Sequence, residues 1–540
     1  MMKGVDTVSA VSIALNRFGL GARPDQPVPE DPRRWLIGQF DRFDPRPGPI
    51  AALPGRAQIA QELADYLQRN RAFIQSVNGG APRPTRVAAA GTDMPVGPTG
   101  GLALLLAATS DPKEMIAKPA APAARTPASS NPAAPNPAAP MTPEETAKQE
   151  LRRFIGQESR SNYVAAVGAR GQVAVGSDTP FVERMVQFWA NHFAVSADKL
   201  TTIGMAGLLE FEAIRPHVLG TFGQMVNAVE RHPAMLLYLD QAQSIGPNSQ
   251  VGERTANRPN GRKTGLNENL AREIMELHTL GVRTGYTQTD VTEFARAMTG
   301  WSISGLARGP YAKLLGISDN PGEFVFVEAT HEPGTRTIMG KRYGQSGERQ
   351  AQAVIDDLVA HPATATHIAT KLARHFAGDT PPPALVDRLR TCYLQTGGNL
   401  PAMYRVLIDS PETWVEAPTK FRSPWEWSVA SLRALQVKDL QAQQFTGMLN
   451  QLGQPAWKPG SPAGDEDLTA TWAGADAVMR RVEAAERMAA KAGATIDARA
   501  LAVRLYPGGL SAATAQALAR AESPQQALAL LLVSPEAMRR

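Results

Sequence analysis

The sequence predicts a mainly α fold: a multi-helix globular domain with a small β-hairpin at about residues 323–340 and a disordered Pro/Ala-rich insert. Three observations support this prediction. Apolar residues recur at helical spacing through most of the chain after residue 142. Several of these stretches meet at an X-Pro joint, and proline suits the first position of a helix. Residues 119–140 contain almost only Pro, Ala, Ser, Thr and Asn, so they have little to bury.

The chain has 540 residues, which exceeds the usual length of one domain. We therefore predict four consecutive segments: an N-terminal helical segment packed on the core (1–77), a flexible insert rich in Gly, Pro and Ala (78–141), a main helical domain that carries the polar site (142–430), and a C-terminal helical segment (431–540). The insert follows from composition alone, because such a stretch is extended and mobile.

Composition narrows the class of protein. Hydrophobic residues make up 43% of the chain and charged residues 20%, which is typical of a soluble globular protein. The net charge of +5 is spread without a basic block, so we expect no nucleic-acid partner. The single Cys392 excludes an intrachain disulfide. We also expect no membrane insertion and no signal peptide, hence a cytoplasmic protein unless a partner with a twin-Arg signal exports it.

The predicted hairpin follows from alternating and β-branched residues. Residues 323–328 form its first strand and residues 335–339 its return strand. Between them a Pro-Gly pair occupies the central positions of a type II turn. This arrangement would place His331 and Glu332 at the hairpin tip, where their side chains could reach a neighbouring site.

The helix predicted around residues 266–280 carries the most informative pattern. Its apolar arc consists of Leu266, Leu270, Ile274, Leu277 and Leu280. Glu273 falls inside this arc, and a buried carboxylate requires a hydrogen bond, a counter-charge or a metal. A buried ion pair with Arg or Lys is the structural alternative. Asn269, Asn267 and His278 lie on the borders of the arc, although Asn267 could equally cap the helix.

A second predicted helix, residues 181–196, places His192 within its own apolar arc. The opposite, polar side carries Glu183, Arg184, Gln187 and Asn191. A lone His on an apolar face is usually a hydrogen-bonded core residue. A Glu273–His192 pair would satisfy both inward-facing groups, however, and burial and charge coupling would shift the pKa of each toward values useful for acid–base catalysis.

A third predicted helix, residues 363–376, holds Lys371 near the border of its apolar face. Lys371 could neutralise Glu273 or contact a substrate anion, and an exposed surface Lys is the plainer interpretation. The remaining candidates for substrate binding are Asp240, Asn267, Asn269, His278 and His331. No spacing typical of a zinc-protease helix, a di-iron bundle or a Cys-rich zinc site occurs, so we assign no metal ligands and no cofactor.

Several stretches resemble a known family, the bacterial domain-of-unknown-function family 1800. They are residues 16–19, 188–193, 232–236, 238–240, 266–282, 286–301, 331–340 and 420–424. The resemblance covers most of the chain outside the insert. It implies a possible partner, since members are often encoded beside a sulfatase- or phosphatase-like family, number 1501. The chain departs from the family pattern at two positions. Ala190 stands where relatives often have His, which weakens the prediction of a metal site. Glu332 stands where they often have Asp.

Three functions follow from these residues. The first is an acid–base enzyme, a hydrolase or transferase on a sugar- or phosphate-bearing substrate, with Glu273 and His192 as catalytic groups. The second is a non-catalytic partner or escort of the sulfatase-like protein. The third is a metal-binding protein.

Overall fold

The structure is a computed structural model that describes residues 10–79, 149, 158–257, 265–306, 320–417 and 420–540, with side chains described to residue 69 in the first range. The mainly helical prediction is confirmed, with two small two-stranded sheets as the only sheets in these residues. The predicted flexible insert lies outside the described residues, apart from residues 78 and 79, which end a helix. The four-segment division stays a prediction.

The helices are short and numerous. The first half contains α1 Pro32–Ile37, α2 Gly48–Ala51, α3 Arg56–Gly79, α4 Arg160–Gly176, α5 Pro180–His192, α6 Ala206–Leu208, α7 Phe222–Glu230, α8 Pro233–Tyr238, α9 Gln250–Ala256, α10 Asn269–Glu273 and α11 Gln288–Met298. The second half contains α12 Glu348–Ala360, α13 Pro362–Ala377, α14 Pro383–Thr396, α15 Leu400–Asp409, α16 Pro424–Ala434, α17 Ala442–Leu452, α18 Thr469–Trp472, α19 Ala475–Ala492, α20 Ala498–Leu505, α21 Ala512–Ala519, α22 Pro524–Leu532 and α23 Pro535–Met538.

Shorter turns of other helix types link these elements. In the described part of the chain, π-helical turns are Ala14–Phe18, Leu209–Ile214 and Ile274–His278. The 3₁₀ turns there are Phe40–Arg42, Arg215–His217, Gln241–Gln243, Glu328–Thr330, Pro411–Thr413 and Gly493–Thr495. Within the described ranges no helix is both long and apolar enough to cross a membrane.

The X-Pro joints begin helices, as predicted. His232 and His361 precede the first prolines of α8 and α13, and each Nδ1 accepts a hydrogen bond from the backbone N–H two residues later, at 3.2 and 3.1 Å. Ser523 and Ser534 cap α22 and α23 with their hydroxyl groups. These residues are therefore helix caps, because they satisfy backbone donors that have no partner inside the helix.

The two predicted strands exist, but they do not pair with each other. Strand β2, Phe324–Phe326, pairs antiparallel with β1, Trp301–Ile303, while β3, Arg336–Ile338, pairs with β4, Lys341–Tyr343. The cause is the two-residue turn after β3. Met339 and Gly340 both have positive φ, 50° and 76°, as a type I′ hairpin turn requires. The local turn therefore gives β3 a partner within its own neighbourhood.

Buried apolar side chains form two clusters. The larger one joins the N-terminal helices to α4–α17 and both sheets. The smaller one packs α19–α23 around Trp427, whose indole N–H donates to the Leu532 carbonyl at 2.9 Å. Helix α16, which contributes residues to both clusters, links the two cores.

The helix that carries Glu273 changes geometry in mid-course. After Glu273 the α-helix continues as the π-helical segment Ile274–His278, which holds more residues per turn than an α-helix. This rotates the following side chains, so Met275 and His278 are buried while Leu277 is only half-buried. The apolar arc predicted from α-helical spacing is therefore shifted, and His278 rather than Glu273 faces the core.

Candidate functional site

Glu183 and Arg184, on the side of α5 predicted to be polar, are buried. Glu183 accepts two hydrogen bonds from Arg215, at 2.7 and 2.8 Å. Arg184 donates to the Gly19 carbonyl through Nε and NH2, at 3.0 and 2.7 Å, and forms a short ion pair with Glu426. The charged side of α5 thus packs against other elements through buried pairs.

His192, the last residue of α5, lies in an aromatic environment formed by Trp189, Phe193 and Phe222. Its Nε2 lies 3.1 Å from the His278 carbonyl oxygen, which can only accept, so Nε2 carries the proton. Its Nδ1 therefore has a free lone pair, 2.9 Å from Nζ of Lys371. Burial, together with the charge of Lys371, holds the His192 pKa well below its usual range, so the ring is neutral.

Lys371 lies on α13, one turn after His367 and one turn before His375. In the described part of the chain, its only hydrogen-bond partner is His192 and no carboxylate lies within ion-pair distance. Burial lowers the Lys371 pKa from 10.5 to about 8, although Asp467 acts in the opposite direction. Lys371 is therefore a desolvated amine that titrates close to neutral pH.

Lys371 also lines a cavity of about 380 Å³ between α5, α13, the start of α16 and the segment 454–472. The wall is mixed, with aromatic side chains such as Trp425 and Trp457 beside charged ones. Ala190 is one of the lining residues. A cavity with convergent polar groups and perturbed pKa values is the usual form of a small-molecule site.

Asn191 holds a second titratable group at this cavity. Its side-chain oxygen accepts from the Asp465 backbone N–H at 2.7 Å, and its amide donates to the Asp465 carbonyl at 2.8 Å. The neighbouring Gly464 has φ +82°, and a Cβ there would lie 2.2 Å from the Asn191 carbonyl oxygen, so only glycine fits. The Asp465 carboxylate accepts from Gln454, while burial raises its pKa.

A buried ionic network lies next to the cavity. His375 donates to Asp467 at 2.8 Å, and Lys420 bridges Asp467 and Asp379. Burial and then the charge of Arg540 lower the His375 pKa to about 4. Glu426 pairs with Arg184 and Arg540, and these cations hold its pKa well below the usual range despite its burial. Most charges in this network are therefore mutually compensated.

Of the predicted site residues, His192, Lys371 and His278 lie together. The His278 carbonyl accepts from His192, and its ring Nδ1 lies 2.7 Å from Glu230 in a fully buried pair. Glu230 was not among the predicted site residues. The contribution of His278 is thus a backbone carbonyl that accepts a hydrogen bond from His192 and fixes the orientation of its ring.

Glu273 does not form the expected pair with His192. Its side chain is half-buried, and it has no hydrogen-bond partner in the described ranges. Burial raises its pKa, and its charge contributes to a raised pKa of about 12 at Tyr238. The π-helical segment explains the difference, because it directs His278 inward instead of Glu273.

Asp240, Asn267 and Asn269 do not line the cavity. Asp240 has φ 57° and pairs with Lys199 at 2.7 Å. The Asn267 side chain donates to the Leu239 carbonyl at 2.8 Å and accepts from the Asn269 N–H at 2.9 Å. Asn267 therefore acts as the cap that its sequence position allowed, while Asn269 is exposed.

His331 and Glu332 are buried and do not lie at a hairpin tip. His331 Nδ1 donates to the Thr299 carbonyl at 2.8 Å. Glu332 accepts from the backbone and side chain of Asn248, at 2.8 and 2.6 Å, and from Arg296 at 2.8 Å. Because β2 and β3 belong to different sheets, the segment between them turns inward and packs beneath residues 246–248.

The cavity contains residues that the sequence did not indicate, chiefly Asp465 and Arg374. Asp465 lies in an irregular segment without periodicity, and the only indirect signal was Asn191, which neighbours His192. Across residues 10–79, 158–257, 265–306, 320–417 and 420–540, no group of three His, Cys, Asp or Glu side chains is arranged to hold a metal ion.

Comparison with known proteins gives a family but no function. Neither the curated proteins nor the solved structures provide a significant match. The family described as "Protein of unknown function (DUF1800)" matches residues 13–539, nearly the whole chain. The stretches at residues 16–19, 188–193 and 420–424 all contribute to the cavity or its supporting network. The chain therefore belongs to the DUF1800 family.

Proposed function

We propose that the protein is an acid–base enzyme, a hydrolase or transferase that acts on a phosphate- or sugar-bearing substrate in the cavity beside α5. One observation carries this proposal. Lys371 and Asp465 line the same cavity, and their pKa values are displaced toward each other, the amine downward and the carboxyl upward. Such a pair supplies an acid and a base at the same pH.

The chemistry follows from these displacements. Between the two pKa values Asp465 is a carboxylate and Lys371 an ammonium. Asp465 would take a proton from the attacking hydroxyl or water, and Lys371 would give one to the leaving oxygen. His192 and Asn191 are positioning residues, since His192 accepts from the Lys371 amine and Asn191 holds the backbone of Asp465. Adjacent residues on α5 thus contact both members of the pair.

The test is a turnover screen with chromogenic phosphate esters and glycosides. Lys371→Met and Asp465→Asn should each lower turnover about 100-fold or more, the usual contribution of a general acid or base. Turnover should also fall as pH rises past about 8, because the Lys371 ammonium then loses its proton.

Glu273→Gln is the discriminating variant. Because Glu273 is half-buried and lacks a bond to His192, this variant should keep turnover within a few-fold of the wild type. Abolished turnover in Glu273→Gln, with an active Lys371→Met protein, would instead support catalysis by Glu273 and His192.

Absence of turnover across the screen would favour the alternative function, a non-catalytic partner or escort of a sulfatase-like protein of family 1501. That function requires the two proteins to co-purify under mild salt. It also bears on location, since we propose a cytoplasmic protein that leaves the cytoplasm only with such a partner. Elemental analysis with His192→Ala as a control tests the remaining alternative, a metal-binding protein.

A further inference from the structure

Most charged side chains at the cavity have a partner of opposite charge. Arg170 pairs with Glu210 at 2.8 Å while its guanidinium lies over Trp425. Arg184 pairs with Glu426. These two arginines are held by the protein itself, so they have little capacity left to bind a ligand.

Lys371 and Arg374 are the exceptions among the lining cations. In the part of the chain that the structure describes, neither has a carboxylate within ion-pair distance, and the Arg374 guanidinium makes no hydrogen bond, its Nε being buried without a partner. The two residues are three apart on α13, so they lie on the same helix face. The charge of Arg374 also reaches Lys371, because it contributes to the lowered Lys371 pKa.

Among the described residues, no carboxylate of the cavity forms an ion pair with either cation, although the charge of Asp467 acts to raise the Lys371 pKa. Asp467 is engaged by His375 and Lys420, and Glu426 by Arg184 and Arg540. Asp465 accepts from Gln454, and the exposed Glu466 accepts from Thr471. Two neighbouring cations that are half-buried and have no ion-pair partner are unfavourable, and an anion between them would offset that cost.

We infer that Lys371 and Arg374 form a binding site for the phosphate group of the substrate. A guanidinium presents a planar set of donors that matches phosphate oxygens, and an ammonium adds a compact point charge. The inference rests on the proposed function only in assigning the phosphate to a substrate. Arg374 then contacts the non-bridging oxygens, while Lys371 lies at the bridging oxygen that leaves.

Inorganic phosphate binding to the full chain, measured by calorimetry at low salt and pH 7, tests this site. Wild-type protein should bind phosphate, and Arg374→Gln should weaken binding about tenfold or more, as expected for loss of a charge-assisted contact. Arg520→Gln is the matched control, since it removes one exposed positive charge outside the cavity and should leave the affinity unchanged. Absence of binding to the wild type, or equal binding to Arg374→Gln, would overturn the inference.

A second measurement needs no variant. Phosphate should protect Lys371, but not the exposed Lys491, from an amine-reactive label quantified by peptide mass spectrometry. Equal labelling of Lys371 with and without phosphate contradicts the site.

Asp465→Asn separates this inference from the proposed function. Its phosphate affinity should equal or exceed that of the wild type, because a carboxylate has been removed, while turnover is lost. If Asp465→Asn keeps turnover and Arg374→Gln loses phosphate binding, the acid–base proposal fails and the phosphate site stands. If turnover is lost but phosphate never binds, the substrate group is not a phosphate.

Discussion

Glu332 is buried and Lys371 is half-buried, and their surroundings differ in kind. Glu332 accepts three hydrogen bonds, two from Asn248 and one from Arg296. It is also tightly enclosed, since a Cβ at Gly246 would lie within 2.8 Å of it. Lys371 has one hydrogen bond, to a neutral ring, and faces a cavity of about 380 Å³.

This contrast shows which observation identifies a site. A buried charge with a full set of partners stabilises the fold, because its desolvation is offset by hydrogen bonds and counter-charge. A buried charge with an incomplete set beside open space keeps donors available for a ligand. By this criterion we expect Glu332 to be structural, and we propose that Lys371 and Arg374 bind a ligand.

The largest expected effect is on stability at Glu332. Glu332→Ala should lower the free energy of unfolding by about 3 kcal/mol, because it removes a buried carboxylate that pairs with Arg296 and leaves the Asn248 N–H groups without their acceptor. Urea denaturation measures this change.

Glu293→Ala is the control for that experiment. Glu293 pairs with the same Arg296 at 3.2 Å, but both side chains are about one-quarter exposed. Its loss should cost less than about 1 kcal/mol, as for other solvent-accessible ion pairs. If both variants lose the same free energy of unfolding, the burial of Glu332 adds nothing to the stability of the fold.

The mainly helical fold and the starts of several helices could be predicted from the sequence. Apolar spacing and X-Pro pairs depend only on local backbone geometry. The strands at Phe324–Phe326 and Arg336–Ile338 were also predictable. Their pairing was not, since it depends on two positive φ angles at Met339 and Gly340 that favour a local hairpin. Pairing between segments distant in sequence has no comparable local signal.

The candidate site was predicted only in part, for two physical reasons. The inward position of His192 followed from regular α-helical spacing, whereas Glu273 was misplaced because a π-helical segment follows it. Asp465 lies in an irregular loop that reaches the cavity through hydrogen bonds to Asn191, across 274 residues of sequence. Such a contact leaves no periodic pattern to detect.

A smaller effect on stability is expected at Lys371, and it depends on pH. The folded-state pKa of about 8 lies below the ordinary value of 10.5. Between these values the unfolded chain binds more protons than the folded chain, so wild-type stability should rise with pH relative to Lys371→Met. Below pH 8 the Met variant should be at least as stable, since it buries no charge.

Denaturant unfolding from pH 7 to 10.5 measures the difference between the two proteins. Arg390→Met serves as the control, because it removes an exposed cation outside the cavity. A difference between wild type and Lys371→Met that does not change with pH would mean that the Lys371 amine is not desolvated in the fold.

The smallest expected effect is on the titration of Lys371 when its one partner is removed. In His192→Phe the phenyl ring should fit among the Trp189, Phe193 and Phe222 side chains that surround the wild-type imidazole. The variant lacks the Nδ1 atom that accepts from Lys371. A hydrogen bond to the ammonium favours the charged form, so the Lys371 pKa should fall below its wild-type value of about 8. The pH dependence of amine labelling at Lys371, with Lys491 as internal reference, measures this shift. If the midpoint of Lys371 labelling is the same in both proteins, His192 contributes only packing. The difference between Lys371 and Glu332 would then depend only on the cavity beside Lys371.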